Sequence, residues 1–250
     1  MSIVVVLPTY NEATNLPDLT LKLLALPLRN LSVLVVDDAS PDGTGQIAEG
    51  LAARAGGRIR VIRRRAKLGL GTAYLAGFES AIAIGADVIV QMDADFSHSP
   101  DYLPEMVSRL GEHDVVVGSR YVEGGKLDQR WEYGRVLLSA WANVYARALL
   151  GIQARDATAG FKAWRRETLL GMNLDRIQSN GYVFQVEMAY VAQRLGYDVL
   201  EIPIYFEDRR IGHSKMTVPI KLEAAWRVWQ VWWQHHSLSP ERRVPVPAAS

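Results

Sequence analysis

The 250-residue chain contains no cysteine, which excludes disulfide bonds and thiolate metal sites, so a metal would need oxygen ligands. No stretch of eighteen apolar residues is uninterrupted, so no membrane-spanning helix is predicted. The amino terminus shows no charged leader or cleavage site, so we expect no secretion. The 28 basic and 27 acidic residues give a net charge of +1, which disfavours a general polyanion binder, and nucleic acid is not an expected partner.

The remaining composition and pattern are typical of an α/β protein. Hydrophobic residues make up 49% and charged residues 22% of the chain, as in ordinary globular domains. The predicted strands are 3–7, 32–36, 58–62, 87–92, 114–118, 160–164 and 199–204, and the predicted helices are 15–24, 44–55, 72–84, 133–150 and 182–195. Continuously apolar strands separated by helices favour a mostly parallel sheet that is buried on both faces.

The length fits a single α/β domain. We expect a nucleotide-binding half over residues 1–118, an acceptor half over 119–215 and a tryptophan-rich helix over 216–236, which together form one catalytic domain over 1–238. The last segment, 239–250, is rich in proline and small residues, and its composition predicts a disordered tail.

The strongest local motif follows the fourth predicted strand, where Asp93-Ala94-Asp95 is followed by Phe96-Ser97-His98. Ligands collect where parallel strands end. In an extended chain Asp93 and Asp95 would point the same way, about 7 Å apart at roughly 3.3 Å per residue. Carboxylate and hydroxyl oxygens suit Mg²⁺ or Mn²⁺. Helix capping before Pro100 is the alternative explanation for the serine, but it leaves both aspartates unexplained.

Other polar motifs also follow predicted strands, and most have a simpler structural explanation. Residues 8–12, Pro-Thr-Tyr-Asn-Glu, could stack and bind a base or could form only a turn. The turn that follows the second predicted strand does not by itself explain two adjacent carboxylates, Asp37 and Asp38. Arg120 could bind phosphate or be an ordinary surface arginine. The glycine-rich segment 67–72 fails as a Walker motif, because the Gly-Lys-Ser or Gly-Lys-Thr order is missing.

The ordered combination of six motifs is specific, although each alone is weak. These motifs are 8–12, 37–38, 93–98, 118–121, 156–162 and 212–215. Over residues 3 to about 220 the chain resembles the family 2 inverting glycosyltransferases, and most closely the dolichol-phosphate (polyprenol-phosphate) mannose synthases. The resemblance implies a single-domain GT-A fold with a mixed, mostly parallel sheet flanked by helices. It also implies inverting transfer of mannose from GDP-mannose to a polyprenyl or dolichyl phosphate, with Mg²⁺ or Mn²⁺ as cofactor.

The resemblance also implies roles for individual residues. Those expected at the nucleotide are Pro8, Tyr10, Glu12, Val36, Asp38, Asp93, Ala94 and Val183. Asp95 is the expected principal metal ligand, with Ser97 as a second ligand that acts directly or through water. Arg120, Arg209 and Lys215 are expected to hold phosphates. Arg135 is the candidate for the acceptor phosphate, and Asp156 the candidate for orienting the sugar or that arginine.

Two alternatives stay open at the level of the sequence. One is transfer of glucose from UDP-glucose to the same kind of lipid, because a few pocket contacts decide base and sugar. The other is a nucleotide-binding scaffold without catalytic activity. A Rossmann dehydrogenase is disfavoured, because no Gly-x-Gly-x-x-Gly follows the first strand.

Tryptophans recur near the carboxyl end of the chain. Leu222, Trp226, Trp229 and Trp233 share one helical face, with Trp232 beside them. This pattern predicts either an interfacial helix on a membrane or a helix packed in the core. For a lipid acceptor we expect a peripheral enzyme on the cytoplasmic face of a membrane, and the sequence leaves open whether a small membrane partner subunit assists it.

Overall fold

The computed structural model describes residues 1–130, 133–208 and 218–246, and of residues 133, 135 and 218–224 only the backbone. Its strands are β1 Ile3–Thr9, β2 Leu31–Asp37, β3 Ile59–Arg63, β4 Val88–Gln91, β5 Val115–Ser119, β6 Lys126–Leu127, β7 Lys162–Arg165, β8 Val199–Pro203 and β9 Tyr205–Phe206. Its α-helices are α1 Leu16–Ala25, α2 Thr44–Arg54, α3 Leu70–Ala83, α4 Leu103–Arg109, α5 Tyr133–Leu150, α6 Arg166–Met172, α7 Val183–Arg194 and α8 Val218–His235.

The main sheet has seven strands in the order β3-β2-β1-β4-β7-β5-β8. Only β7 runs against its neighbours β4 and β5, and the other pairs in this sheet are parallel. The predicted fold class, a mixed and mostly parallel sheet flanked by helices, is therefore confirmed. The short strands β6 and β9 form a separate parallel pair.

Both faces of the sheet are buried, as the apolar strands predict. On β1, Val5 packs in the core cluster that contains Leu19 of α1, whereas Val6 packs on the opposite face in the cluster that contains Phe78 of α3. Successive strand residues point to opposite faces, so one apolar strand contributes to two cores. A third cluster joins α5, α7 and α8.

The carboxyl-terminal segment differs from the expected disordered tail. A short 3₁₀ turn spans Pro240–Arg242, and the Arg243 guanidinium lies 4.1 Å from the centre of the Tyr197 ring. Arg243 Nε also donates to the Leu195 carbonyl over 2.7 Å. These contacts place Arg243 against residues 195–197, just after α7, which composition alone does not predict.

No helix among the described residues is long and apolar enough to cross a membrane.

Candidate active site

One edge of the sheet collects most of the expected site residues. Six parallel strands end there, and the reversed strand β7 begins there. Tyr10 and Asp38 follow β1 and β2, Asp93 follows β4, Arg120 follows β5, and Asp156 precedes β7. Because β7 is reversed, Asp156, which precedes it, lies at the edge where the other strands have their carboxyl ends.

Hydrogen bonds with Tyr74 and His98 hold Asp93, and Gly160 lies close to its carboxylate. The Tyr74 hydroxyl of α3 donates to Asp93 Oδ1 over 2.7 Å. The Asp93 amide donates to His98 Nδ1 over 3.3 Å, and a side chain at Gly160 would lie 3.3 Å from Asp93 Oδ2. Burial and then the Asp93 charge raise the pKa of Tyr74 well above 10, so this hydroxyl stays protonated as a donor.

His98 has a packing role behind the site. Its ring stacks on Phe161 with the centroids 5.0 Å apart and meets Phe206 edge-on at 5.3 Å. Burial lowers the pKa of His98 below its usual value of 6.5, so the ring is neutral at pH 7 and can accept from the Asp93 amide.

Asp95 and Ser97 place two oxygen atoms that could bind a metal close together. Asp95 is buried, and its Oδ1 accepts from the Ser97 amide over 3.1 Å and from the Ser97 hydroxyl over 2.6 Å. Phe96 between them has a φ of 64°, and β4 ends at Gln91. The strand therefore ends before Asp93, and the chain bends over residues 94–98.

These oxygens fit a hard divalent cation. The described residues contain no group of three His, Cys, Asp or Glu side chains suited to a metal, so a cation here would need further ligands from a substrate. Mg²⁺ is commonly bound in that way, through one or two carboxylates together with substrate phosphates. The fit is therefore to a cation that arrives with a nucleotide diphosphate.

Arg120 and Asp156 form a buried, bidentate ion pair. Arg120 Nε and Nη2 donate to the two Asp156 carboxylate oxygens over 2.7 Å each, and the Arg120 amide donates to Asp156 Oδ2 over 3.0 Å. Nη2 also donates to the Thr158 hydroxyl over 2.7 Å. Burial would raise the pKa of Asp156, but the charge and hydrogen bonds of Arg120 outweigh it and lower that pKa below 3.8. Among the described side chains, Asp156 therefore orients Arg120.

The loop that carries Asp156 is itself anchored. Glu201 of β8 accepts the amide of Asp156 over 2.9 Å and that of Arg155 over 2.6 Å. Asn143 of α5 accepts the Ala157 amide over 2.9 Å. The partly exposed Glu201 and the buried Asn143, from two elements, thus fix the position of the ion pair.

The expected base pocket lies at the ends of β1 and β2. Lys67 Nζ is 3.7 Å from the centre of the Tyr10 ring. Asp38 accepts from the Leu68 and Gly69 amides over 3.0 and 2.8 Å and from Arg64 Nη1 over 2.9 Å. Asp38 thereby shapes the glycine-rich loop beside Tyr10.

The other expected nucleotide residues near this pocket differ in their surroundings. Pro8, Val36 and Ala94 are buried. Glu12 is partly exposed, and its Oε2 accepts from Asn15 over 2.8 Å. Asp37 is fully buried and pairs with Arg63 Nε over 3.4 Å, so the structure gives it a turn-stabilising role and leaves Asp38 nearer the pocket.

A small apolar cleft lies beside the ion pair. Its volume is about 70 Å³, and its lining includes Thr158, Val183, Trp141 and Val228. The cleft lies between α5, α7 and α8, so Val183 faces this apolar space. Because Thr158 also contacts Arg120, an apolar chain in the cleft would end near the guanidinium.

Helix α8 packs with one face and exposes the other. Val228 and Val231 are buried in the cluster with α5 and α7, whereas Trp226, Trp229 and Trp233 are 64%, 43% and 70% exposed. The interpretation of these three tryptophans as core residues is therefore wrong, although the helix does pack on the domain. A groove of about 600 Å³ runs along the exposed tryptophans.

Three expected cationic groups are not described. Arg209 and Lys215 lie outside the described residues, and so does the side chain of Arg135, although its backbone belongs to α5. The described chain reaches the site just before Arg209, because the Glu207 amide donates to the Ser97 carbonyl over 3.2 Å.

Several residues that hold the site could not be identified from the sequence. Tyr74 and Asn180 belong to none of the six motifs, and Lys162 is only the last residue of one of them. The Asn180 side chain bridges Leu68 and Gly71 over 2.8 Å at each end. Their partners are distant in the sequence, so no local signal identifies them, except that Tyr74 lies close after the glycine-rich segment.

The chain is similar in sequence to known glycosyltransferases. The model of the family described as Glycosyl transferase family 2 matches residues 4–170. The chain is 45% identical to an undecaprenyl-phosphate mannosyltransferase of Micrococcus luteus, over 90% of this chain and 91% of that one. It is 43% identical to a polyprenol monophosphomannose synthase of Mycolicibacterium smegmatis, over 90% of this chain and 84% of that one.

Solved structures share the fold. A glucosyl-3-phosphoglycerate synthase from Mycobacterium tuberculosis, in complex with Mn²⁺ and UDP, matches with a TM-score of 0.64 and 21% identity, covering 98% of this chain and 81% of that one. At this identity the likeness concerns the GT-A fold alone.

Proposed function

Because the chain belongs to glycosyl transferase family 2, we propose that it transfers mannose from GDP-mannose to a polyprenyl phosphate with inversion, giving a β-linked mannosyl phosphate. The observation that carries the proposal is the identity of 45% and 43%, each over nine-tenths of the chain, to two proteins named for polyprenyl-phosphate mannosyl chemistry. The Asp93, Asp95, Arg120 and Asp156 arrangement at the sheet edge supports it.

On the donor side, Tyr10, Asp38 and Asp93 line the edge where a nucleotide would lie. Asp93 is fixed by Tyr74 and is therefore oriented before substrate binds. Asp95 and Ser97 would hold Mg²⁺ or Mn²⁺, which when bound neutralises charge on the departing diphosphate. We propose that Arg209 and Lys215 contribute further positive charge to the same leaving group.

On the acceptor side, Arg120 is positioned by Asp156 and Thr158, next to the apolar cleft. A phosphate monoester has a second pKa of about 6, so near pH 7 it is largely a dianion and needs no general base. Arg120 and Arg135 would orient this dianion for attack from the face opposite the diphosphate. Such positioning accounts for much of the rate enhancement in this class of reaction.

The membrane is the proposed source of the acceptor. Leu137, Trp141 and Val144 are exposed on α5, next to α8 with its exposed Trp226 and Trp233, and the Tyr145 hydroxyl joins the two helices by donating to the Ala225 carbonyl over 3.1 Å. Exposed tryptophans on an amphipathic helix favour the headgroup region. We propose peripheral attachment to the cytoplasmic face, with a small membrane subunit as an optional partner.

The test is transfer of label by the purified full chain. The protein is given radiolabelled GDP-mannose or UDP-glucose with polyprenyl phosphate and Mn²⁺, and label is counted in the lipid phase. We expect label only from GDP-mannose, none with excess chelator, and a β anomer by NMR. Label only from UDP-glucose would replace the mannose assignment by the glucosyl alternative, and label from neither donor would favour the non-catalytic scaffold.

A further inference from the structure

Lys162 is a buried cation that the proposed chemistry does not use. It opens β7, between β4 and β5, and is 1% exposed. Its Nζ donates to the Ala159 carbonyl over 2.6 Å and to Gln185 Oε1 over 2.9 Å, and the Gln185 carbonyl lies at 3.5 Å. Three oxygens thus surround a group with three N–H donors, which matches an ammonium.

The electrostatic surroundings make this ammonium costly. Burial, opposed by the charges of Asp156 and Asp93 and assisted by that of Arg120, lowers the pKa of Lys162 from 10.5 to about 7. Helix α7 contributes only the neutral Gln185 to its hydrogen bonds, and Glu201 of β8 lines the same cavity. An apolar side chain would avoid the desolvation cost, so packing alone does not explain a lysine here.

The loop that Lys162 holds joins the two sides of the site. Its contact is with the carbonyl of Ala159. On one side of that residue, Thr158 accepts from Arg120. On the other side, Gly160 lies against Asp93, because a Cβ there would be 3.3 Å from Asp93 Oδ2. A shift of this carbonyl would therefore disturb groups on both the donor and the acceptor side.

We propose that Lys162 is a positioning residue whose ammonium fixes loop 156–160. The loop in turn holds Asp93 on the donor side and Arg120 on the acceptor side of the site. The substrates named here rest on the proposed function. The contact itself rests on the hydrogen bonds of Lys162 and the packing of the loop.

A cavity makes the proposal testable by chemical rescue. It measures about 240 Å³, and its lining runs from the buried Lys162, Asp156 and Trp164 to Gln153 and Asp198, which are exposed. We expect a small amine to enter this space and to occupy the position of the deleted side chain. A neutral alcohol of the same size fills the volume but supplies no charge.

The experiment compares Lys162→Ala with the wild-type enzyme, with and without propylamine or propanol. We expect Lys162→Ala to lower kcat about 100-fold, as a misplacement of about 1 Å can do, with partial recovery by propylamine alone. The matched control is Trp164→Phe, on the same strand and cavity wall. Its indole N–H has no hydrogen-bond partner among the described residues, and the kcat of this variant should stay near that of the wild type.

A second readout does not depend on the substrates. The Arg120 amide donates to Asp156, so its hydrogen exchange reports the position of the loop. We expect faster exchange in Lys162→Ala and recovery with propylamine. Unchanged exchange, a kcat within twofold of the wild type, or equal rescue by propanol would overturn the inference. Failure of the wild type to transfer any sugar would instead overturn the proposed function, and the exchange experiment would still decide the role of Lys162.

Discussion

Replacing Asp156 by asparagine is expected to destabilise the fold and impair transfer together. The carboxylate is fully buried and accepts three hydrogen bonds from Arg120 over 2.7 to 3.0 Å. Asparagine keeps the shape and one acceptor oxygen, but it points an amide group at a guanidinium and removes the negative charge. The guanidinium would then remain buried without its carboxylate partner.

The magnitude follows from the loss of a buried partner. Breaking a buried ion pair costs about 3–5 kcal/mol, and we place this conservative change near the lower end. For a domain of this size each kcal/mol shifts Tm by about 2–4 °C, so we expect Tm to fall by roughly 6 to 12 °C. Because Arg120 loses its orientation, kcat/KM for the acceptor should fall about 100-fold.

Thermal unfolding and initial rates with polyprenyl phosphate measure both effects. The control is Thr158→Val, which removes a neutral hydroxyl from the same cluster and should cost about 1 kcal/mol. Because the folded-state pKa of Asp156 is lowered below 3.8, its stabilisation is fully present above about pH 4 and is lost as the pH falls through that lowered pKa. A Tm within 2 °C of the wild type at pH 7, together with unchanged kcat/KM, would refute the reasoning.

Three further predictions concern other parts of the site. Tyr74→Phe should raise KM for GDP-mannose roughly tenfold, because a hydrogen bond to a charged group contributes about 1.5–3 kcal/mol; an unchanged KM in donor titrations would contradict this. As the pH is raised, kcat/KM should increase through the acceptor pKa of about 6 and then decrease as Lys162 loses its proton near pH 7. An active Lys162→Arg variant should lack that decrease, since arginine stays charged. The double change Trp226→Ser and Trp233→Ser should lower co-sedimentation with phosphatidylglycerol vesicles at least tenfold, because each buried aromatic side chain contributes about 1.5–3 kcal/mol, while KM for the soluble donor stays unchanged; equal sedimentation would argue against the membrane surface.

The strands were predictable because their signal is local. Segments such as 3–7 and 88–90 are apolar without alternation, which occurs where a strand is buried on both faces. The reversal of β7 was not predictable, because Lys162–Arg165 pairs with strands that lie far away in the sequence. That reversal is what brings Asp156 to Arg120, so their contact was also beyond the reach of spacing.

The tryptophan helix illustrates the same limit. The spacing of Trp226, Trp229 and Trp233 correctly placed them on one face of α8. Whether that face was buried depended on what packs against the helix. The structure shows that Val228 and Val231 face the core instead, because they pack against α5 and α7. Local patterns therefore determined the elements, and tertiary contacts determined which faces were exposed.

The most direct test of the central claim is mannose transfer from GDP-mannose to polyprenyl phosphate by Asp95→Asn across a Mn²⁺ titration. Asp95 supplies the buried carboxylate proposed to hold the cation, whereas Glu105→Gln removes an exposed carboxylate on α4. We predict metal-dependent transfer in the wild type and Glu105→Gln, and a loss of at least 100-fold in Asp95→Asn, of the size seen when one transition-state stabilising group is removed. Wild-type rates in Asp95→Asn, or transfer that excess chelator does not reduce, would contradict the account.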